Sequence, residues 1–453
     1  MLLPSWHGQL TPRLLLFFMR WSASIFGPSD FAFRLPSTLA AIATVACTFY
    51  LIRHWIGGRI TAPLAAAVLT FAPIFLRYSQ EAKQYAMEAF CTVCILLLLD
   101  QYLNTPSRRR LLVLILGSIL FIGLANIFPF LWGVVMTRLA WESFKKRSPL
   151  MVRAAVLYAA LTLLVFIPYF LFFIEGIYST AQPKFSESST SYWAVRSPSF
   201  QNPLLYLRDV TIHCYTLLSY FFSGFPKWSL PLITVLSITG CISLFRHERT
   251  RFIFYFVLPL TAAIIAATVR LYPFSERVAL YSLPLFVICA SFGIFSVGTA
   301  LSAFIKRDVS KIIAVASICS LFVVYYQNRN SFRHSQEDMR SAVAYYQSKV
   351  QPGDITSVFK QAWAFYHYAH IVPKDPRIFR IFWDDEHAQL VEDDFEKAYS
   401  KISNGRIWFL ASHYPNALHK KGEILTVFHD RCTLKDMQQF AGAFAALFEC
   451  PNL

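Results

Sequence analysis

The stretch Arg77-Tyr78-Ser79-Gln80-Glu81-Ala82-Lys83-Gln84-Tyr85-Ala86-Met87-Glu88 is a polar, charged island in an apolar chain. An apolar run over 60–76 precedes it and another over 86–103 follows it. As a helix, each is long enough to cross ~30 Å of hydrocarbon. Charges held that close to hydrocarbon are costly and mark a polar site more often than packing. The island is therefore read as a short loop at one membrane face, running into the top of a helix whose Glu88 lies about a turn inside. Ser79 is expected to cap that helix from near Gln80, with Glu81 in a first turn where the helix dipole favours an anion. Lys83 opposes the dipole at that position, which points to an anionic partner such as phosphate. Glu81, Tyr85 and Glu88, at i, i+4 and i+7, would then share one face beside Gln84 and line a cavity.

Outward from this island the same pattern repeats. Of the 453 residues, 56% are hydrophobic, 17% aromatic and 15% charged, well above the apolar fraction of a soluble domain. Ten windows of spanning length occur, at 35–52, 60–76, 86–103, 111–125, 127–141, 151–174, 229–245, 252–269, 278–304 and 310–326. The stretch 204–223 is aromatic but carries Arg208, Asp209 and His213, and reads as a membrane-surface helix. With that helix outside the count of spans, the clusters at Arg53/Arg59, Arg108–Arg110, Lys145–Arg147 with Arg153, Arg246/Arg249/Arg251 and Lys306/Arg307/Lys311 all fall on one side. The positive-inside rule makes that side cytoplasmic. The polar chemistry then faces outward, on residues 1–34, the Glu81 loop, the loops 175–203 and 270–277, and the C-terminal tail. The net charge of +16 does not indicate nucleic acid, because residues 327–453 hold 15 Lys/Arg and 15 Asp/Glu and the excess sits in the short membrane loops.

Residues 327–453 read differently. An amphipathic helix is predicted over 337–349, a turn at Gln351-Pro352-Gly353-Asp354, and strands at 355–359, 377–382, 406–412 and 423–429. Helical patterns near 361–370, 384–401 and 433–448 alternate with them, giving one small α/β domain. No metal site is expected. Cys91 and Cys94 form a Cys-x-x-Cys inside an apolar helix with no second pair, so they read as small core residues. The runs Asp384-Asp385-Glu386-His387 and Glu392-Asp393-Asp394 lack the alternating ligands and central glycine of a calcium loop and suit a solvated helix face. Cys432 and Cys450 are the tail's two cysteines and can pair if the tail is extracytoplasmic.

Several motifs occur in a telling order. Gln9-Leu10-Thr11-Pro12 leads into an amphipathic stretch, then Phe26-Gly27-Pro28-Ser29-Asp30-Phe31-Ala32-Phe33-Arg34-Leu35-Pro36-Ser37. Tyr78-Ser79-Gln80-Glu81-Ala82-Lys83-Gln84-Tyr85 follows one helical hairpin later. Tyr272-Pro273-Phe274-Ser275-Glu276-Arg277 precedes a long span, and Glu337-Asp338-Met339-Arg340 with Pro352-Gly353-Asp354 opens the soluble domain. Together they resemble the membrane glycosyltransferases of the protein-mannosyltransferase and aminoarabinose-transferase superfamily, which have the type C glycosyltransferase fold. The resemblance implies an outer-surface amphipathic segment (1–34), an all-α polytopic membrane domain of about ten transmembrane helices (35–326) and a C-terminal extracytoplasmic α/β domain (327–453), in the inner or plasma membrane.

It also implies a reaction: inverting transfer of a hexose or pentose from a polyprenyl-phosphate carrier to a glycan, lipid or protein acceptor on the outer side. A phosphate-linked donor needs fixed cations at the leaving phosphate, and an acceptor hydroxyl needs a carboxylate. Lys83, Arg277 and Arg34 are the expected cations, Gln9, Tyr85 and Glu88 further substrate contacts, and Glu81 the acid, base or sugar-hydroxyl ligand. Three of them have a simpler alternative: Glu81 as a cap, Arg34 snorkelling to lipid headgroups, Arg277 in contact with Glu276 or a lipid phosphate. The superfamily also has a helix before the segment matching Gln9–Pro12, with the catalytic acid at its outer end. Residues from Met1 onward carry neither, so a start upstream of Met1 or a gene fragment is expected. A carrier-lipid-binding protein, inactive paralogue or transporter is the alternative class, favoured if translation begins at Met1.

Overall fold

A computed structural model gives the fold and describes residues 11–56, 58–174, 203–223, 225, 229–269, 272, 274, 277–333, 338–359, 365, 368–369, 377–381, 383–384, 389–390, 405–412, 432–440 and 442–451. Gln9, Glu276, the expected loop over 175–202 and the expected strand over 423–429 lie outside the described residues, as does most of the expected helix over 361–370. The chain divides into two compact units, Met1–Asn328 and Arg329–Leu453.

In hydrocarbon a backbone can satisfy its polar groups only internally, so each apolar window becomes helical. The helices of the first unit are α1 (Arg13–Phe26), α2 (Asp30–Ile56), α3 (Thr61–Phe71), α4 (Pro73–Ser79), α5 (Tyr85–Asn104), α6 (Arg108–Ile122), α7 (Phe128–Lys146) and α8 (Pro149–Tyr169). They continue with α9 (Pro203–Phe221), α10 (Ser229–His247), α11 (Arg249–Phe252), α12 (Leu258–Thr268), α13 (Leu283–Ile305) and α14 (Ser310–Arg333). A π turn, Ile253–Val257, joins α11 to α12, and a 3₁₀ turn, Val278–Ser282, leads into α13.

Among the described residues, seven helices are long and apolar enough to cross a membrane, or eight if α3 and α4, bent by 64°, make one span. The other two expected spans are helical but fall short. Helix α6 has 15 residues, about 22 Å at the helical rise, less than the hydrocarbon thickness. Helix α7 carries Arg138, Glu142, Lys145 and Lys146 in its second half. Helix α9 is not among the spans. Helix α1 is amphipathic, burying Leu15, Met19 and Ser22 while exposing Phe17, Trp21 and Ile25.

Two features fix the bundle. The first is a charge cluster at the C-terminal ends of α2 and α5. Asp100, with its side chain 2% exposed, accepts from Arg251 Nε at 2.8 Å and Asn104 Nδ2 at 3.0 Å, and lies 3.0 Å from His54 Nδ1. Arg251 also reaches Glu248 at 2.8 Å, Asn104 Oδ1 at 3.2 Å and the Trp55 carbonyl at 3.4 Å. The second is the crossing of α10 and α13. A Cβ on Gly240 would lie 1.7 Å from the Cys289 carbonyl oxygen, and one on Gly293 1.8 Å from that of Leu236, so only glycine admits this backbone approach.

In the second unit, helix α15 (Met339–Lys349) precedes a five-stranded sheet in the order β2-β1-β5-β7-β6. Its strands are β1 (Ile355–Phe359), β2 (Ile378–Ile381), β5 (Arg406–Ser412), β6 (Thr433–Phe440) and β7 (Ala443–Glu449). β1 runs parallel to β2 and β5, while β7 is antiparallel to β5 and β6. Helix α15, β1, β2 and β5 follow the sequence expectation; the helix expected over 433–448 does not form. Those residues make the β6–β7 hairpin, turning at Gly442 with φ +61°, and Cys432 and Cys450 at its ends are disulfide-bonded. The misreading has a physical source: β7 is buried at every position except Glu449, and a continuous apolar run has no periodicity to separate strand from helix. The helix expected from 384 is also corrected. Trp383 and Asp384 (β3) pair antiparallel with Leu390 and Gln389 (β4).

Removing Arg251 leaves Asp100 buried and largely uncompensated. Arg251→Ala is therefore expected to destabilise the first unit by about 3–5 kcal/mol. Asp100→Ala/Arg251→Ala together should destabilise by less than the sum of the single changes, measured by thermal unfolding in detergent.

Candidate functional site

The polar island is a break between two helices. Helix α4 ends at Ser79, whose Oγ turns back to donate to the Leu76 carbonyl at 2.7 Å. Ser79 therefore does not cap a helix from Gln80. The first α-helical bond of α5 runs from the Glu88 N–H to the Gln84 carbonyl at 2.8 Å, and the Lys83 N–H instead closes a tight turn onto Glu81 O at 2.8 Å. Glu81 consequently lies in the break and does not share a helix face with Tyr85 and Glu88. Carbonyls left without helical partners where one helix ends and the next begins need other donors, and α2 supplies them. Ser37 Oγ donates to the Lys83 carbonyl at 3.0 Å and Thr38 Oγ1 to the Ser79 carbonyl at 2.9 Å.

Held this way, the break presents three charges. Glu81 lies 3.5 Å from Arg77 Nε and 3.4 Å from Lys83 Nζ. The Arg77 guanidinium also sits over the Tyr78 ring, 5.4 Å from its centroid. The anionic partner expected for Lys83 is thus Glu81 in this structure, and Lys83, about a third exposed, is accessible to a stronger anion. Arg34, on the first turns of α2, lies 3.7 Å from Asp30 and is 42% exposed.

Behind the break stands a wall of tyrosines. Tyr78 and Tyr85 pack edge to face with centroids 5.1 Å apart, and the Tyr78 hydroxyl hydrogen-bonds that of Tyr220 on α9. Arg277, at the entry to the Val278–Ser282 turn, and Glu81 both lie close enough to act electrostatically on the Tyr78 and Tyr85 hydroxyls. Arg77, Glu81 and Arg277 therefore lie near the same pair of rings, and Lys83 joins them through its pair with Glu81. Deeper, Glu88 is 1% exposed and accepts from the Asn126 N–H at 3.2 Å, just before α7 begins. Tyr272 packs edge to face on Phe130 of α7.

Helix α9 crosses this region. The His213 imidazole hydrogen-bonds the Phe274 carbonyl and packs beside its ring, with centroids 5.7 Å apart. Burial lowers the His213 pKa, so the ring is neutral at pH 7, and its carbonyl partner assigns the remaining proton to Nε2. Arg208 and Asp209 pair with each other at 2.9 Å on the exposed side.

The structure thus brings together Lys83, Glu81, Tyr85, Arg277 and, deeper, Glu88. Ser37, Thr38, Tyr78, Tyr220 and Asn126 were not singled out from sequence. A hydroxyl bonding its own helix and one bridging to another segment look alike in a sequence, and Asn126 acts through its backbone. Among the described residues no group of three or more His, Cys, Asp or Glu is arranged to hold a metal ion.

Residues 11–172 match the family described as dolichyl-phosphate-mannose-protein mannosyltransferase. No curated protein matches the chain. Among solved structures, the chain is similar to ArnT from Cupriavidus metallidurans in the apo state, with a TM-score of 0.56 and 11% identity over 96% of this chain and 87% of that one. It is likewise similar to ArnT from the same organism bound to undecaprenyl phosphate, with a TM-score of 0.54 and 10% identity over the same shares. The expected fold is therefore borne out: this is a polytopic membrane protein with the type C glycosyltransferase-like architecture.

If Ser37 and Thr38 hold the break, Ser37→Ala/Thr38→Val should raise amide hydrogen exchange at Gln80–Gln84, while exchange within α13 stays unchanged.

Proposed function

We propose that this chain, with the fold of the type C membrane glycosyltransferases, transfers a sugar from a polyprenyl-phosphate carrier to an acceptor hydroxyl. The observation that carries the reading is the Arg77–Glu81–Lys83 charge group at the α4–α5 break, with Glu81 and Arg277 both acting electrostatically on the Tyr78 and Tyr85 hydroxyls. The likeness to ArnT bound to undecaprenyl phosphate supports a polyprenyl phosphate as the carrier.

In this reading the donor phosphate displaces Glu81 from Lys83 and takes Lys83 and Arg277 as cations, with Arg34 at the rim. Ammonium and guanidinium groups in partly desolvated surroundings stabilise the charge that grows on the phosphate as the glycosidic bond breaks. The acceptor oxygen bonds the anomeric carbon from the opposite face, the bond from that carbon to the phosphate oxygen breaks, and polyprenyl phosphate leaves. The acceptor's proton passes to a carboxylate, with Glu81 proposed for that role or as a sugar-hydroxyl ligand. Tyr85 and Glu88 are proposed as further substrate contacts. The acceptor is a glycan, lipid or protein.

The orientation follows from the charge bias. The Ser37–Lys83 bond lies at one end of α2 and α5 and the His54–Asp100–Arg251 cluster at the other, so the basic loops near Arg53, Arg108 and Arg249 gather opposite the break. We assign the basic end to the cytoplasm and the break and the C-terminal unit to the outer side of the inner or plasma membrane.

Lys83→Ala and Arg277→Ala should each weaken undecaprenyl phosphate binding by about tenfold, the loss of one charge-assisted contact. Binding unchanged in both variants removes the site assignment. Reporter fusions at the C-terminus should be active only outside the cytoplasm; a cytoplasmic signal overturns the orientation.

A further inference from the structure

Three side chains on α9 reach across to neighbouring elements at a seven-residue interval. Tyr206 Oη bonds Thr268 Oγ1 at the end of α12 at 3.0 Å, His213 bonds the Phe274 carbonyl, and Tyr220 Oη bonds Tyr78 Oη on α4. Seven residues are nearly two full helical turns, so the three share one face with a drift of only ~20° per step. The opposite side of the helix is exposed at Leu204, Leu207 and Ile212.

Two of these bonds end on the segments that carry the proposed phosphate cations. Phe274 lies three residues before Arg277 and is 1% exposed. Tyr78 lies at the end of α4, between Arg77 and the break that holds Glu81 and Lys83. The contact points on α9 are seven residues apart, about 10 Å along the helix. The Val278–Ser282 turn packs directly on α5, and α9 adds a second link: Tyr78 and Phe274 are almost two hundred residues apart, and α9 bonds both.

We propose that α9 is the spacer of the donor site, with His213 and Tyr220 as positioning residues that hold the Arg277 segment and the Lys83 segment at the separation one phosphate needs. This rests on the donor-phosphate reading above. Neither residue touches the phosphate. His213 acts through the Phe274 backbone and Tyr220 through Tyr78, so their loss loosens two cations without removing either. Cations that are pre-positioned bind an anion more tightly than the same cations left to find it. Tyr206, on the same face but bonded to Thr268, serves as the internal control.

The test is undecaprenyl phosphate binding to the full chain in lipid nanodiscs. His213→Ala and Tyr220→Phe should each weaken affinity by about five- to tenfold, the worth of one neutral hydrogen bond. His213→Gln, which keeps an N–H donor, should restore most of the loss, and Tyr206→Phe should bind as the unaltered chain does. Unaltered affinity in His213→Ala and Tyr220→Phe, with binding lost in Arg277→Ala, overturns the spacer and leaves the donor site standing. Equal weakening by Tyr206→Phe also overturns it, because α9 would then act only as general support. Normal binding by both Lys83→Ala and Arg277→Ala removes the donor site and the spacer with it.

Discussion

Two hydroxyls on α2 make the rest of the site possible. Where one membrane helix ends and the next begins, carbonyls lose their helical partners, and other protein groups can take their place. Ser37 and Thr38 do this for Lys83 and Ser79. With the two carbonyls bonded, residues 80–84 can leave the helix and turn Glu81 and Lys83 toward one another. In a continuous helix those two residues would be two positions apart and face different directions.

The break also sets the geometry beyond itself. Because α5 restarts at Tyr85, its face carries Tyr85 and Glu88 inward, and its far end places Asp100 against His54 and Arg251. Helix α2 thus meets α5 and the residues just before it through polar groups at both ends, at an interval of 17 positions from Ser37 to His54 and likewise from Lys83 to Asp100. Equal spacing on two rods makes them run parallel and in register. A third helix must then return between them, and the bent pair α3–α4 does so.

Much of this was legible beforehand. The spans followed from length and apolarity, and the one-sided basic clusters gave a parity that the His54–Asp100–Arg251 contact matches. Lys83 was marked because it opposes its helix dipole, Tyr85 and Glu88 from a helix face they were expected to share with Glu81, and Arg277 from the motif that carries the family resemblance. The exact start of α5 was not legible, since Ser79 is a good capping residue by type and only its bond to Leu76 O rules that role out. The hairpin at 433–449 was read as a helix because Ala-Phe-Ala-Ala-Leu-Phe is apolar without a period; its pairing with β5 decides the matter.

By itself the sequence determined that the chain is a bundle of apolar helices with a separate mixed unit, and that a polar island interrupts the bundle near Glu81. Composition and charge bias suffice for that, because the transfer of apolar and charged groups into hydrocarbon depends on residue type alone. Only the tertiary structure decided what the island's residues do. Whether Glu81 caps a helix or bridges two cations, and whether His213 faces solvent or holds Phe274, depends on partners distant in the chain. Hydrogen bonds and ion pairs act over a few ångströms, and only folding brings those partners within reach.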